Sequence, residues 1–284
     1  MIINIEKFGK IKEENNIVNI ITNSYERLMP HDVKILDLLL FETLSDMRNF
    51  FFKECRTLGI ISEDFGEQFF ASHDAWRGTP RISVCLENMK KLPKKIQINA
   101  LRHEVGHSIL HGSLEYYVFP IPSKLIEISK FGLPQKYSFN LAYLLSIAVK
   151  DYEVTKLLLK GNFIDEQIAY SKYIMRTSNE DLVAWRLSIN KPSAIAICLA
   201  GRLKDLACLI ALYNNLDESF LNKIIKTELG YFPNKILKKF LIFVEKLPHI
   251  LSSDTIKNFN IVVEEFFKDL LEPLLNEKDP NSLQ

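Results

Sequence analysis

Long hydrophobic runs are missing from this chain of 284 residues. Apolar stretches such as Ala194–Ala200 stop far short of the roughly 20 residues a membrane-spanning helix needs. A membrane partner is therefore not expected. No positively charged start leads into an apolar core and cleavage site, so a secretory signal is not expected either. Cysteine is scarce and scattered: Cys55, Cys85, Cys198 and Cys208 contain no C-x-x-C pair. They read as small hydrophobes kept reduced in a cytoplasm. Charge of one sign is also lacking, with 36 basic against 35 acidic residues, which gives no reason to expect nucleic acid. Ten Gly and eleven Pro leave no low-complexity stretch, and no fixed-period repeat is visible. What remains is an ordinary globular composition, 47% hydrophobic and 25% charged, long enough for one large or two modest domains.

Apolar periodicity divides the chain. Leu36, Leu40, Leu44, Met47 and Phe51 recur at helical spacing, so residues 34–58 read as one long helix. Arg81–Leu86, preceded by Gly78-Thr-Pro80, alternates and reads as a strand. Pro93 starts a helix that stops at Gly112. A loop rich in Pro and aromatics follows, and Ser138 is suited to cap a helix over 139–160 that ends at Gly161-Asn162. From about residue 166 strand signals vanish. Apolar stripes at spacing three and four run through 180–188, 193–212, 219–228, 234–246 and 254–275, punctuated by Pro192, Pro233, Pro248 and Pro273. The expectation is an α+β domain over 1–165 followed by an all-helical domain over 166–284, with a frayed tail from Asn276.

The helix from Pro93 carries Leu101-Arg-His-Glu-Val-Gly-His-Ser-Ile-Leu-His-Gly112. Residues i and i+4 sit one above the other, so His103 and His107 present two imidazoles to one point, the geometry Zn²⁺ asks for. Glu104 lies about 100° around from His103, offset from the metal. It is suited to take a proton from a water that zinc has made acidic. Ile98, Leu101, Val105 and Ile109 form an apolar stripe from which both histidines lie off. His111 continues the row one turn too far to share the ion easily, and reads as supporting or structural. His31 and His73 read as exposed bystanders in loops.

These residues resemble the zincin metallopeptidases, and more closely the gluzincin branch with its minigluzincins. The wording His-Glu-x-Gly-His-x-x-Leu-His also resembles the ImmA/IrrE type. The resemblance covers roughly residues 34–160. It implies a zincin-like domain with a small sheet, in which the strand over 81–86 aligns substrate at the sheet edge. It also implies an acidic third ligand from the helix after the motif. Two acids compete there. Asp151, with Ile147, Ala148, Val154 and Thr155 as its helical neighbours, is expected to face inward and bind zinc, with Thr155 supporting it. Glu153, among Lys150, Lys156 and Lys160, is expected to lean toward solvent and is the alternative ligand. Tyr116, Tyr117 and Tyr152 are candidates to stabilise an oxyanion, and Trp76, Arg77 and Arg81 to contact substrate.

The activity implied is zinc-dependent hydrolysis of a peptide bond in a peptide or protein substrate, with Glu104 as general base. The helical domain then offers a surface for a protein partner. A zincin-like protein with little peptidase activity, acting as a partner-binding module, is the alternative. A helical interaction protein with a fortuitous motif is a third.

Overall fold

The computed structural model describes residues 1–59, 69–118, 120–128 and 133–276. In chain order it contains β1 (Ile2–Phe8), α1 (Glu14–Arg27), β2 (Ile35–Phe41), α2 (Leu44–Leu58), β3 (Ala71–Asp74) and β4 (Arg81–Cys85). The short α3 (Leu86–Met89) and α4 (Lys94–Leu110) follow, then a 3-10 turn at Leu114–Tyr116. The remainder is α5 (Ser123–Glu127), α6 (Gln135–Lys160), α7 (Ile164–Ile174), α8 (Asn179–Ser188), α9 (Pro192–Ala211), α10 (Glu218–Glu228), α11 (Asn234–Ile250) and α12 (Thr255–Phe266). A π-helical stretch (Phe267–Leu271) then leads into α13 (Glu272–Asn276). The chain is α+β, and among the described residues no helix is long and apolar enough to cross a membrane. Two compact units each take two segments: Met1–Val118 with Leu157–Tyr170, and Phe119–Lys156 with Ser171–Gln284.

The first unit is built on a mixed four-stranded sheet of order β1-β2-β4-β3. β2 pairs in parallel with β1 and with β4, and β3 closes the sheet antiparallel to β4. The expected helix over 34–58 is corrected here. Ile35–Phe41 is a strand, and only Leu44–Leu58 is helical. The break falls at Thr43, whose side chain accepts from the Asp46 backbone while the Asp46 carboxylate accepts from the Thr43 backbone. That reciprocal cap starts α2 and leaves the run before it free to pair as an interior strand. Leu39, Phe41 and Cys85 pack with Leu44 and Met47 of α2 and with Phe8, Phe50 and Phe51. Leu36, Leu38, Leu40, Ile82 and Val84 are also fully buried, and α4 lies against β3 and β4. β4 is buried along its whole length and has a neighbour on each side. The strand over 81–86 is therefore not a sheet edge, and the edge beside it is β3.

The second unit is helical. α9 is its centre, with Ile195, Ala196, Leu199, Ala200, Leu203 and Leu206 buried and contacts to α8, α11 and α13. Pro192 occupies the first turn of α9, where its missing N–H leaves nothing unsatisfied. Two expectations are corrected. Ser138 lies inside α6 and donates its hydroxyl to the Leu125 carbonyl at 2.8 Å, so it does not cap the helix. Pro248 sits within the last turn of α11 rather than between helices. The tail beyond Asn276, expected to fray, lies outside the described residues.

Candidate metal centre

Pro93 is the N-cap residue of α4, as the sequence implies. The helix is not simply amphipathic: Ile96, Asn99, Ala100, Leu101, His103, Glu104, Val105, Gly106 and Ser108 are all buried. Ile98 and Ile109, expected on its buried stripe, are only half-buried. Tyr25 of α1 and Ser108 share a buried hydroxyl–hydroxyl hydrogen bond across the two helices, and Ser108 also donates to the Val105 carbonyl at 2.7 Å. Within this setting His103 and Glu104 are 5% and 7% exposed. The Nε2 atoms of His103 and His107 come within 3.1 Å, with the rings nearly perpendicular. Two nitrogens each about 2.0–2.1 Å from a tetrahedral Zn²⁺ would stand roughly 3.3 Å apart. The observed separation of the two nitrogens is close to that value.

Other aromatic and imidazole groups of the same unit surround the pair. His73 is not a bystander, which corrects the expectation. It is half-buried on β3, its ring lies parallel to that of His107 at 6.1 Å between centroids, and its Nδ1 is 2.9 Å from the Tyr117 hydroxyl. Trp76 packs on Tyr117 at 5.4 Å. Burial raises the Tyr117 pKa, and the negative charges of Asp74 and Glu104 raise it further. Tyr170 of α7 packs against His103 at 5.3 Å. His111 is fully buried, its Nδ1 is 3.2 Å from the His107 Nδ1, and its ring stands edge-on to Tyr116. His31 is likewise half-buried, with its ring 5.0 Å from Tyr25.

Arg81 departs from its expected role as a substrate contact. It is 4% exposed, with a bidentate hydrogen bond to Glu54 at 2.8 Å for each arm and a bond from Nε to Asp74 at 2.9 Å. It ties α2 to β3 and β4. Its hydrogen bond holds the Glu54 carboxyl below its usual range, whereas burial raises that of Asp74 despite the same partner. Arg77 also meets Glu54 at 2.7 Å.

In the second unit, α6 carries Asp151, Tyr152, Glu153 and Thr155. Their burial reverses the expected order of the two acids. Asp151 is half-buried, while Glu153 is 8% exposed. The Glu153 carboxylate accepts from Thr255 Oγ1 at 2.6 Å and from Asn258 Nδ2, both in the first turn or so of α12. The positive end of that helix also favours a carboxylate. Tyr152 is buried beside Ala148, Val149, Leu203, Ala207, Ile210 and Val262, an apolar setting within this unit. Thr155 is fully buried. Burial lowers Lys150 to about 8, against the opposing charges of Asp151 and Glu153.

Tyr117, a candidate from the sequence, stands beside the histidine pair through His73, whereas His73 and Tyr170 were not assembled from the sequence. His73 and Asp74 alternate on a four-residue strand too short to register as periodic, and Tyr170 stands in a helix assigned to the helical domain. No family model matches the chain, and no curated protein and no solved structure matches it.

Proposed function

We propose that the protein is a zinc-dependent peptidase of the zincin type. The observation that carries this reading is the approach of His103 Nε2 to His107 Nε2 on a buried helix, with Glu104 next in the chain. Asp151, on the helix after the motif, would be the third ligand, the acid that the gluzincin resemblance implies. Glu153 is the weaker candidate, since its carboxylate already serves Thr255 and Asn258. Zinc, when bound, would make a water acidic near neutral pH and polarise the scissile carbonyl. Glu104 would take the proton of the attacking water and return it to the leaving amine. The Tyr117 hydroxyl, backed by His73, would donate to the developing oxyanion. The ordered packing of His73 and Tyr170 about the two imidazoles would hold them in the productive orientation.

The test combines metal analysis with cleavage. The protein supplied with zinc should retain about one ion per chain, and His103→Ala or His107→Ala should lose it. Glu104→Gln should keep the ion and the fold but lose cleavage of a diverse peptide library by about 100-fold or more, because an amide takes up no proton. Absence of bound zinc in the parent would overturn the metal site. Zinc binding with no cleaved peptide, in parent and variant alike, would leave a zincin-like binding module instead.

A further inference from the structure

We infer that His111 is the positioning residue for His107, accepting the Nδ1 proton of that ring and so fixing which nitrogen faces the ion. The inference rests on the reading that His103 and His107 hold zinc. A neutral imidazole bound to a metal through Nε2 carries its proton on Nδ1. For His107, that Nδ1 lies 3.2 Å from the Nδ1 of His111, while its Nε2 faces His103. If His111 were the donor, the His107 proton would sit on Nε2 and block the nitrogen needed for coordination. The hydrogen bond therefore has one productive direction, His107 Nδ1–H to His111 Nδ1, with the His111 proton on Nε2. This is the role a carboxylate or carbonyl plays behind many ligating histidines, supplied here by a second imidazole.

Three features of the chain hold His111 in that place. It is the residue at which α4 ends, with φ −129° and ψ 25°, and its backbone N–H still bonds the His107 carbonyl at 2.7 Å. Its ring is fully buried and braced edge-on by Tyr116 at 5.2 Å. The next residue is Gly112, where a Cβ would come within 2.2 Å of the Ser108 carbonyl oxygen and 2.9 Å of Pro80. Only glycine permits the turn that keeps His111 over His107.

His111→Asn and His111→Phe separate this role from simple packing. The Asn Oδ1 takes the place of Nδ1 and accepts the same proton, whereas Phe fills the ring space without an acceptor. Zinc titration should show His111→Phe weakened roughly 10–100-fold and His111→Asn within a few-fold of the parent. Circular dichroism checks that both are folded. Nitrogen shifts of the metal-free parent at pH 8 should place the His107 proton on Nδ1 and the His111 proton on Nε2. Equal zinc affinity in His111→Phe and the parent, or equal losses in both variants, would overturn the inference. So would a His107 proton found on Nε2. The metal-free tautomers decide the matter even if the parent binds no zinc, an outcome that would remove the peptidase reading separately.

Discussion

Glu153 has lysines three residues away on both sides, at 150 and 156, and still turns inward. The reason is not on its own helix. Thr255 and Asn258, about a hundred positions later, donate to its two oxygens, and the pairing partners of a buried acid are invisible to a local pattern. Asp151, chosen for its apolar helical neighbours, is the more exposed of the two acids. Titration of two variants side by side reads the consequence. Glu153→Ala should leave zinc affinity near that of the parent but strip two buried donors of their acceptor, lowering stability by about 1–3 kcal/mol. Asp151→Ala should do the reverse, losing most zinc affinity with a stability change within about 0.5 kcal/mol when metal is absent. Loss of zinc in Glu153→Ala alone would make Glu153 the ligand. The motif itself was legible, because residues i and i+4 on a helix converge whatever packs around them. His73 was not, since only the pairing of β3 with β4 brings it over His107.

At the scale of elements, the sequence misled where two periodicities coincide. Leu36, Leu40 and Leu44 satisfy a helical spacing, but Ile35–Phe41 is also the nearly unbroken apolar run of a strand buried on both faces. The Thr43–Asp46 cap was the local signal that separates them. The link between α2 and the sheet gives a pH-dependent prediction. Glu54 has a folded-state pKa below its unfolded value, mainly through the hydrogen bond from Arg81. Its contribution to stability is therefore present above the ordinary carboxylate range and lost as pH falls through the depressed value. Asp74 has the opposite sign: burial raises its pKa, so it takes up its proton first on acidification, and that step relieves rather than costs folding. Glu54→Gln should melt below the parent at neutral pH, and the gap should close only below the ordinary carboxylate range. A gap in melting temperature that stays constant down to acid unfolding would show that the Glu54 charge carries none of the tie.

The whole molecule does not follow a single cut in its sequence. A change in pattern near residue 166 suggested a boundary there, yet α7 runs through it from Ile164 to Ile174. Within the first unit, Gln167 donates to Asn99 on α4 at 2.7 Å, Glu166 pairs with Arg102 at 2.9 Å, and Tyr170 packs on His103. All three lie beyond residue 165. A fragment of residues 1–165 would therefore lose the α7 side chains that hold the motif helix. It would also keep α6 without the later helices of the second unit, exposing Val149 and Tyr152, which are buried in the whole chain beside Leu203, Ala207, Ile210 and Val262. Burying one such side chain contributes about 1.5–3 kcal/mol, so the two together are a substantial share of the margin of about 5–15 kcal/mol that a folded domain has. The fragment should show no cooperative thermal transition and should bind zinc far more weakly than the full chain. Circular dichroism melting and zinc titration of the fragment beside the full chain measure both. A sharp transition with zinc affinity unchanged would mean that α7 and the second unit are dispensable for the motif helix, and that the change of pattern near residue 166 does mark an independent domain.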